Sequence, residues 1–144
     1  MKRCSWCNLK NPLYIKYHDN EWGALNLDEK YLFEMLILES FQAGLSWECV
    51  LNKREAFRSA YDNFDIKKII MYDDKKIEEL INNEGIIRNK LKIKASIMNA
   101  KIFKKIENEL PEVFSCRADA KTGSPPTLRS RRQLYEKRWC RKLY

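Results

Sequence analysis

Histidine is almost missing from this chain of 144 residues, and His18 is the only one. Glycine and proline are scarce as well, four of each, which excludes a collagen-like, low-complexity or disordered chain and leaves an ordinary globular one. No apolar run approaches the roughly 20 residues of a membrane-spanning helix. The opening "MKRCSWCNLK" lacks the apolar core of a secretory signal, so the expectation is a cytoplasmic protein without a membrane partner. Period-two alternation and internal repeats are also absent, which removes β-sheet and solenoid architectures and points to an all-α fold. The five cysteines are odd in number with no export signal, so they read as thiols or metal ligands and not as a disulfide framework.

What is present has the size of one domain with one sizeable core. The net charge of +8 suggests a nucleic-acid partner, but its distribution matters more than its sum. Residues 1–110 carry 19 Lys and Arg against 17 Asp and Glu, a balance of +2, whereas residues 111–144 carry 9 against 3, a balance of +6. Any case for DNA must therefore come from particular motifs in the first part. The second part also changes in language: residues 111–144 contain no Ile and no Asn, against 13 and 11 before them. Two readings stand, a basic tail that touches phosphates and a different reading frame appended to a body encoded by AT-rich codons. The abrupt loss of Ile and Asn favours the second. The expected organisation is a helical domain over residues 1–110, incomplete at its C-terminal end, followed by a divergent, irregular basic tail over residues 111–144.

Within the first part, Trp6, Tyr14, Tyr17 and Trp22 surround His18 in a segment rich in turn formers. Asn26 followed by Glu29 is the expected cap of the helical run "KYLFEMLILESF". "AGLS" interrupts that run, and "WECVLNKREAFRSAY" resumes a helical pattern, within which Cys49 reads as core. Asp65 and Asp73 each open a further helix. Leu91, Ala95, Met98, Ile102 and Ile106 recur at spacings of three and four, the stripe of one long amphipathic helix. Between the last two helices "NNEGIIRNK" turns at Gly85, and such a hairpin can aim backbone N–H groups at a phosphate, with Arg88, Lys90 and Lys92 to neutralise it. A plain helix–helix turn has the same look.

Glu39 poses the sharpest question, because it lies in "LFEMLILESFQAGLSWECV", among the most apolar stretches of the chain, where a buried lone carboxylate costs several kcal/mol. Trp6, Tyr14, Tyr17, Trp22 and Trp47 offer flat faces on which a purine, above all a cationic one, would stack, although each ring taken singly could be core filling.

The runs "PLYIKYHDNEWG", "LFEMLILESFQAGLSWECVLNKREAFRSAYDNFD" and "GIIRNKLKIKASIMNAK" closely resemble the DNA-3-methyladenine glycosylase I family, helix–hairpin–helix base-excision enzymes. The resemblance extends from residue 1 to about residue 108. It implies a monofunctional glycosylase acting on double-stranded DNA with alkylated bases; a monomer is expected because the repair substrate supplies the partner. In that role Glu39 would be the carboxylate that reads the extruded base. Tyr14, Tyr17, Trp47, Trp6 and Trp22 would form the stacking walls. Gln42, Gly44 and Leu45 would be the wedge filling the gap left in the stack, and Gly85, Arg88 and Lys90 would hold the DNA backbone. No Lys is placed as a Schiff-base nucleophile. The resemblance also implies a structural zinc ion, of whose four ligands Cys4 and His18 match the first two. The family's other His has no counterpart here; Cys7, with Cys116 or Cys140, is the remaining source of ligands. Against the enzyme stands a second expectation, an inactive remnant acting as a non-catalytic DNA-binding module.

Overall fold

The computed structural model describes residues 3–109, and within them every regular element is helical. The expected irregular tail, with Cys116 and Cys140, lies outside the described residues. Helix α1, Pro12–Asn20, begins where Asn11 accepts the amides of Leu13 and Tyr14 and Pro12 takes the first helical position, where its missing N–H does no harm. Helix α2, Glu29–Gln42, is capped by Asp28, whose carboxylate accepts the Tyr31 amide at 2.7 Å. The expected cap, Asn26, instead accepts the Asp28 amide at 2.9 Å, so it forms the turn that delivers the cap.

Ser46 caps α3, Trp47–Asn52, and α4, Arg54–Ala60, follows directly. The single helix expected here breaks at Lys53 (φ −99°, ψ 0°), whose amide turns back to the Leu51 and Val50 carbonyls and so ends the ladder. A short 3-10 turn, Asp62–Phe64, holds three successive non-glycine residues at φ 49°, 56° and 57°. Left-handed backbone costs roughly 1–2 kcal/mol per residue. Burial of Phe64, stacked on Tyr61 at 5.8 Å, offsets it. Asp65 and Asp73 cap α5, Ile66–Ile70, and α6, Asp74–Asn82, as the sequence predicts. Helix α7, Lys90–Glu109, is the longest, and Asn89 caps it by accepting the Leu91 and Lys92 amides.

The core lies between α2, α4 and α7. Phe33, Ile37, Leu38 and Phe41 of α2 meet Phe57, Tyr61 and Phe64, and α7 closes the layer with Ile93, Ile97, Ala100 and Phe103. Each such side chain contributes about 1.5–3 kcal/mol on burial. Buried Tyr61 finds a polar partner in Ser96 Oγ at 3.1 Å, which in turn donates to the Ile93 carbonyl. The stripe read from the sequence is not this inward face. Leu91 is 79% exposed, Met98 57% and Ile102 48%, so the Leu91–Ile106 stripe lies on the outer side of α7. The helix carries two apolar stripes, both at helical spacing, and the packed one is its neighbour.

Candidate functional site

The site is built where α1, α2 and α3 converge. Tyr17 on α1 and Trp47, the first residue of α3, meet edge to face with ring centroids 5.4 Å apart. Glu39, on the outer side of α2, is near enough to Tyr17 for its charge to act on that ring's hydroxyl. The Tyr17 hydroxyl is pushed up from its ordinary value, first by burial and then by the negative charge of Glu39. The expectation of a buried Glu39 is overturned: its side chain is exposed, and among the described residues it has no hydrogen-bond or ion-pair partner. The reason is helical phase. Phe33, Ile37, Leu38 and Phe41 set the inward stripe of α2, and residue 39 stands roughly opposite it on a helix of 3.6 residues per turn.

The buried carboxylate of α2 is Glu34, which sequence reasoning missed. Its oxygens accept Arg54 Nε at 2.6 Å and Arg58 Nε and Nη2 at 2.8 and 3.2 Å. Arg54 also donates from Nη1 to both oxygens of Glu21, and its guanidinium stands over the Tyr31 ring. Burial alone would lower the Arg54 pKa, but hydrogen bonds to Glu34 and Glu21 outweigh it and hold the group charged. Glu21 lies just after α1, so the network ties the aromatic segment to α2 and α4. The signal was available in the phase argument, since residue 34 falls within the inward stripe, between Phe41 and Leu38.

The other rings form a second cluster. Trp6 lies within 5.5 Å of Tyr14, 5.2 Å of His18 and 5.2 Å of Trp22, and Trp22 stacks on His18 at 5.7 Å. Asn8 and Asn11 both donate to Glu48, which fastens this segment to α3. The structure thus divides the five expected stacking residues into a pair beside Glu39 and a trio around His18. The indole N–H of Trp47 is buried and has no hydrogen-bond partner among the described residues. A buried donor left open is costly, and it is the kind of group a ligand acceptor satisfies.

Cys4 and His18 are brought together. The Cys4 backbone amide donates to His18 Nε2 at 3.2 Å, and His18 Nδ1 pairs with Asp19 at 2.9 Å, so both ring nitrogens are engaged. Arg3 grips Asp19 through Nε and Nη2, and this bond and the one from His18 hold the Asp19 pKa down to about 2. Cys7 is buried with its thiol toward the Tyr14 carbonyl. Cys49, expected in the core, is half-buried, one turn into α3. Among the described residues no three His, Cys, Asp or Glu side chains gather as a metal would require. Two of the four donors a zinc site needs, Cys4 and His18, lie together among the described residues, and Cys116 and Cys140 lie outside them.

The segment between α2 and α3 is a tight turn. Gly44 sits at φ 81°, a conformation that favours glycine, and Leu45 beside it is 40% exposed. The Gln42 side chain folds back to donate to the Leu45 carbonyl at 3.0 Å, so it braces the turn from within. The hairpin between α6 and α7 packs against α4: a side chain at Gly85 would sit 3.1 Å from the Ala56 methyl carbon. Lys53 donates to the carbonyls of Glu84 and Gly85, both at 3.1 Å. Arg88 and Lys90 are exposed, Arg88 with a loose pair to Glu84 at 3.6 Å. Lys92, expected to serve a phosphate, is engaged inward, where its ammonium donates to the Phe41 and Ala43 carbonyls.

Comparison with known proteins places this geometry. A sequence model of the family described as methyladenine glycosylase matches residues 6–136. DNA-3-methyladenine glycosylase 1 of Escherichia coli (strain K12) is 48% identical over 107 residues, 74% of this chain and 57% of the relative. A crystal structure of 3-methyladenine DNA glycosylase I is similar with a TM-score of 0.72 and 46% identity, covering 75% of this chain and 59% of the other. A tyrosine-to-phenylalanine variant of 3-methyladenine DNA glycosylase I, solved in complex with 3-methyladenine, is similar with a TM-score of 0.75 and 32% identity, covering 89% and 68%. The chain spans just over half the length of the curated relatives it matches. No helix among the described residues is long and apolar enough to cross a membrane. In helical fold, in the hairpin between α6 and α7 and in sequence, the chain belongs to the methyladenine glycosylase family.

Proposed function

We propose that this chain is a base-excision glycosylase that hydrolyses the N-glycosidic bond of 3-methyladenine in alkylated double-stranded DNA, acting as a monomer in the cytoplasm and leaving an abasic site. One observation carries the reading: an exposed carboxylate, Glu39, without a hydrogen-bond or ion-pair partner among the described residues, whose charge acts on Tyr17, the ring that crosses Trp47. Methylation at N3 makes the adenine cationic. A carboxylate against aromatic faces attracts that cation and has no comparable attraction for neutral adenine. The base would be flipped out, with Leu45 on the Gly44 turn entering the gap and the hairpin of Gly85, Arg88 and Lys90 holding the backbone.

The chemistry needs little machinery. The bond from C1′ to the base breaks with its electron pair leaving on the base, which departs as neutral 3-methyladenine. The sugar passes through an oxocarbenium-like state. Water adds to C1′ and gives its proton to solvent. Glu39 serves as reader and electrostatic partner, with Tyr17 and Trp47 as stacking walls; Tyr14, Trp6 and Trp22 stand in the second cluster, with His18. Zinc would be a structural ion only, taking Cys4 and His18 as two of its four ligands in place of the hydrogen bonds His18 makes here, and no step of the reaction runs through it.

A second reading, a DNA-binding module without turnover, has one observation in its favour, the exposed outer stripe of α7. The test is direct: the purified chain is incubated with methylated duplex DNA and the released bases are separated by chromatography. Free 3-methyladenine in proportion to enzyme supports the glycosylase. Tight DNA binding with no release supports the module.

A further inference from the structure

Helix α2 ends without a cap of its own. Ala43 closes it at φ −50°, ψ 117°, its last turn carries no basic residue, and the carbonyls exposed there concentrate the negative end of the helix dipole. The group that meets them comes from 49 residues further along the chain: Lys92 Nζ donates to the Ala43 carbonyl at 2.7 Å and to the Phe41 carbonyl at 2.9 Å. Lys92 stands in the first turn of α7, where Asn89 also takes its amide. The turn it grips is already closed internally, since the Leu45 amide donates to the Gln42 carbonyl at 2.7 Å and Gln42 Nε2 to the Leu45 carbonyl. Internal bonds fix the shape of the Ala43–Ser46 turn. Among the described residues, the hydrogen bonds that tie this turn to the start of α7 are those of Lys92.

We propose that Lys92 is a positioning residue that couples the Leu45 wedge to the hairpin between α6 and α7, so that the gap filler and the backbone grip move as one body. A wedge must stand against the tendency of the flipped base to restack, and a turn free to swing would yield to it. The ammonium suits this task because it can serve two carbonyls at once while neutralising the helix end. This role in base flipping rests on the glycosylase reading; the mechanical coupling does not.

Two variants and two readouts separate these. Lys92→Met keeps the aliphatic stem and loses the charge, and Lys92→Arg restores a donor. In the full chain without DNA, Lys92→Met should raise amide exchange at Gly44–Trp47 by about tenfold or more while the α4 and α7 core amides stay within a few-fold, and Lys92→Arg should recover most of the protection. On alkylated DNA, Lys92→Met should lower excision from duplex by about tenfold or more and excision from single strands, where no base pair must be opened, by less than about threefold. Unchanged exchange at the turn, or equal losses on duplex and single strands, would overturn the coupling. If the wild type releases base from neither substrate, the glycosylase reading fails, and the exchange measurement decides the coupling alone.

Discussion

Glu34 and Glu39 stand five residues apart on α2 in opposite surroundings. Glu34 lies on the packed side, where Arg54 and Arg58 together supply three hydrogen bonds to its oxygens. Glu39 lies on the open side, within electrostatic reach of Tyr17, which crosses Trp47, and without a hydrogen-bond or ion-pair partner among the described residues. The contrast separates what holds the fold from what awaits a ligand. On the packed side each buried charge has been matched, because an unmatched one costs several kcal/mol. On the open side a charge and an indole N–H remain unmatched.

The largest test of this contrast is to break the packed side. Glu34→Gln removes the buried negative charge that Arg54 and Arg58 share, although two of Arg54's three hydrogen bonds remain with Glu21, and should lower the free energy of unfolding in urea by about 3–5 kcal/mol. Glu39→Gln in the same assay should stay within about 0.5 kcal/mol of the parent, as a change at an exposed, unpaired site. A comparable loss from both would erase the distinction.

The two faces of α7 repeat the contrast in apolar form. Ile97→Ala should cost about 2–4 kcal/mol through the cavity it leaves. Met98→Ala, one residue on and 57% exposed, should cost less than about 0.5 kcal/mol beyond what helix propensity returns. Two outcomes of similar size would mean that the outer stripe is covered in solution.

A third effect comes from tyrosines. Burial pushes the Tyr61 hydroxyl from 10.0 up to about 12, and burial with the charge of Glu21 does the same to Tyr31. Between these values the unfolded chain loses its protons first, so stability present below pH 10 is lost as pH rises through 12. Tyr61 alone should give a slope of about 1.4 kcal/mol per pH unit in that window. Tyr61→Phe should remove that slope, read from urea midpoints across the alkaline range.

Much of the fold was legible because short-range chemistry wrote it. Asp65, Asp73 and the "AGLS" break were read from capping and turn residues and stand where expected. What failed was phase and choice. Glu39 reads as buried from its apolar neighbours in sequence, whereas burial on a helix follows every third or fourth residue. On α7 two stripes share one period, and nothing local says which of them a partner will cover. Lys53 broke an expected helix, and both it and Lys92 cap carbonyls distant in sequence. Such bonds depend on tertiary placement, and no local pattern announces them.

The most direct measurement is the single-turnover excision rate of 3-methyladenine from duplex DNA by the wild type and by Glu39→Gln, which keeps shape and hydrogen-bonding capacity and removes the charge. A carboxylate that reads the cationic base by its charge predicts a rate roughly 10- to 100-fold lower in the variant at an unchanged melting temperature. Release by Glu39→Gln at the parental rate would contradict it.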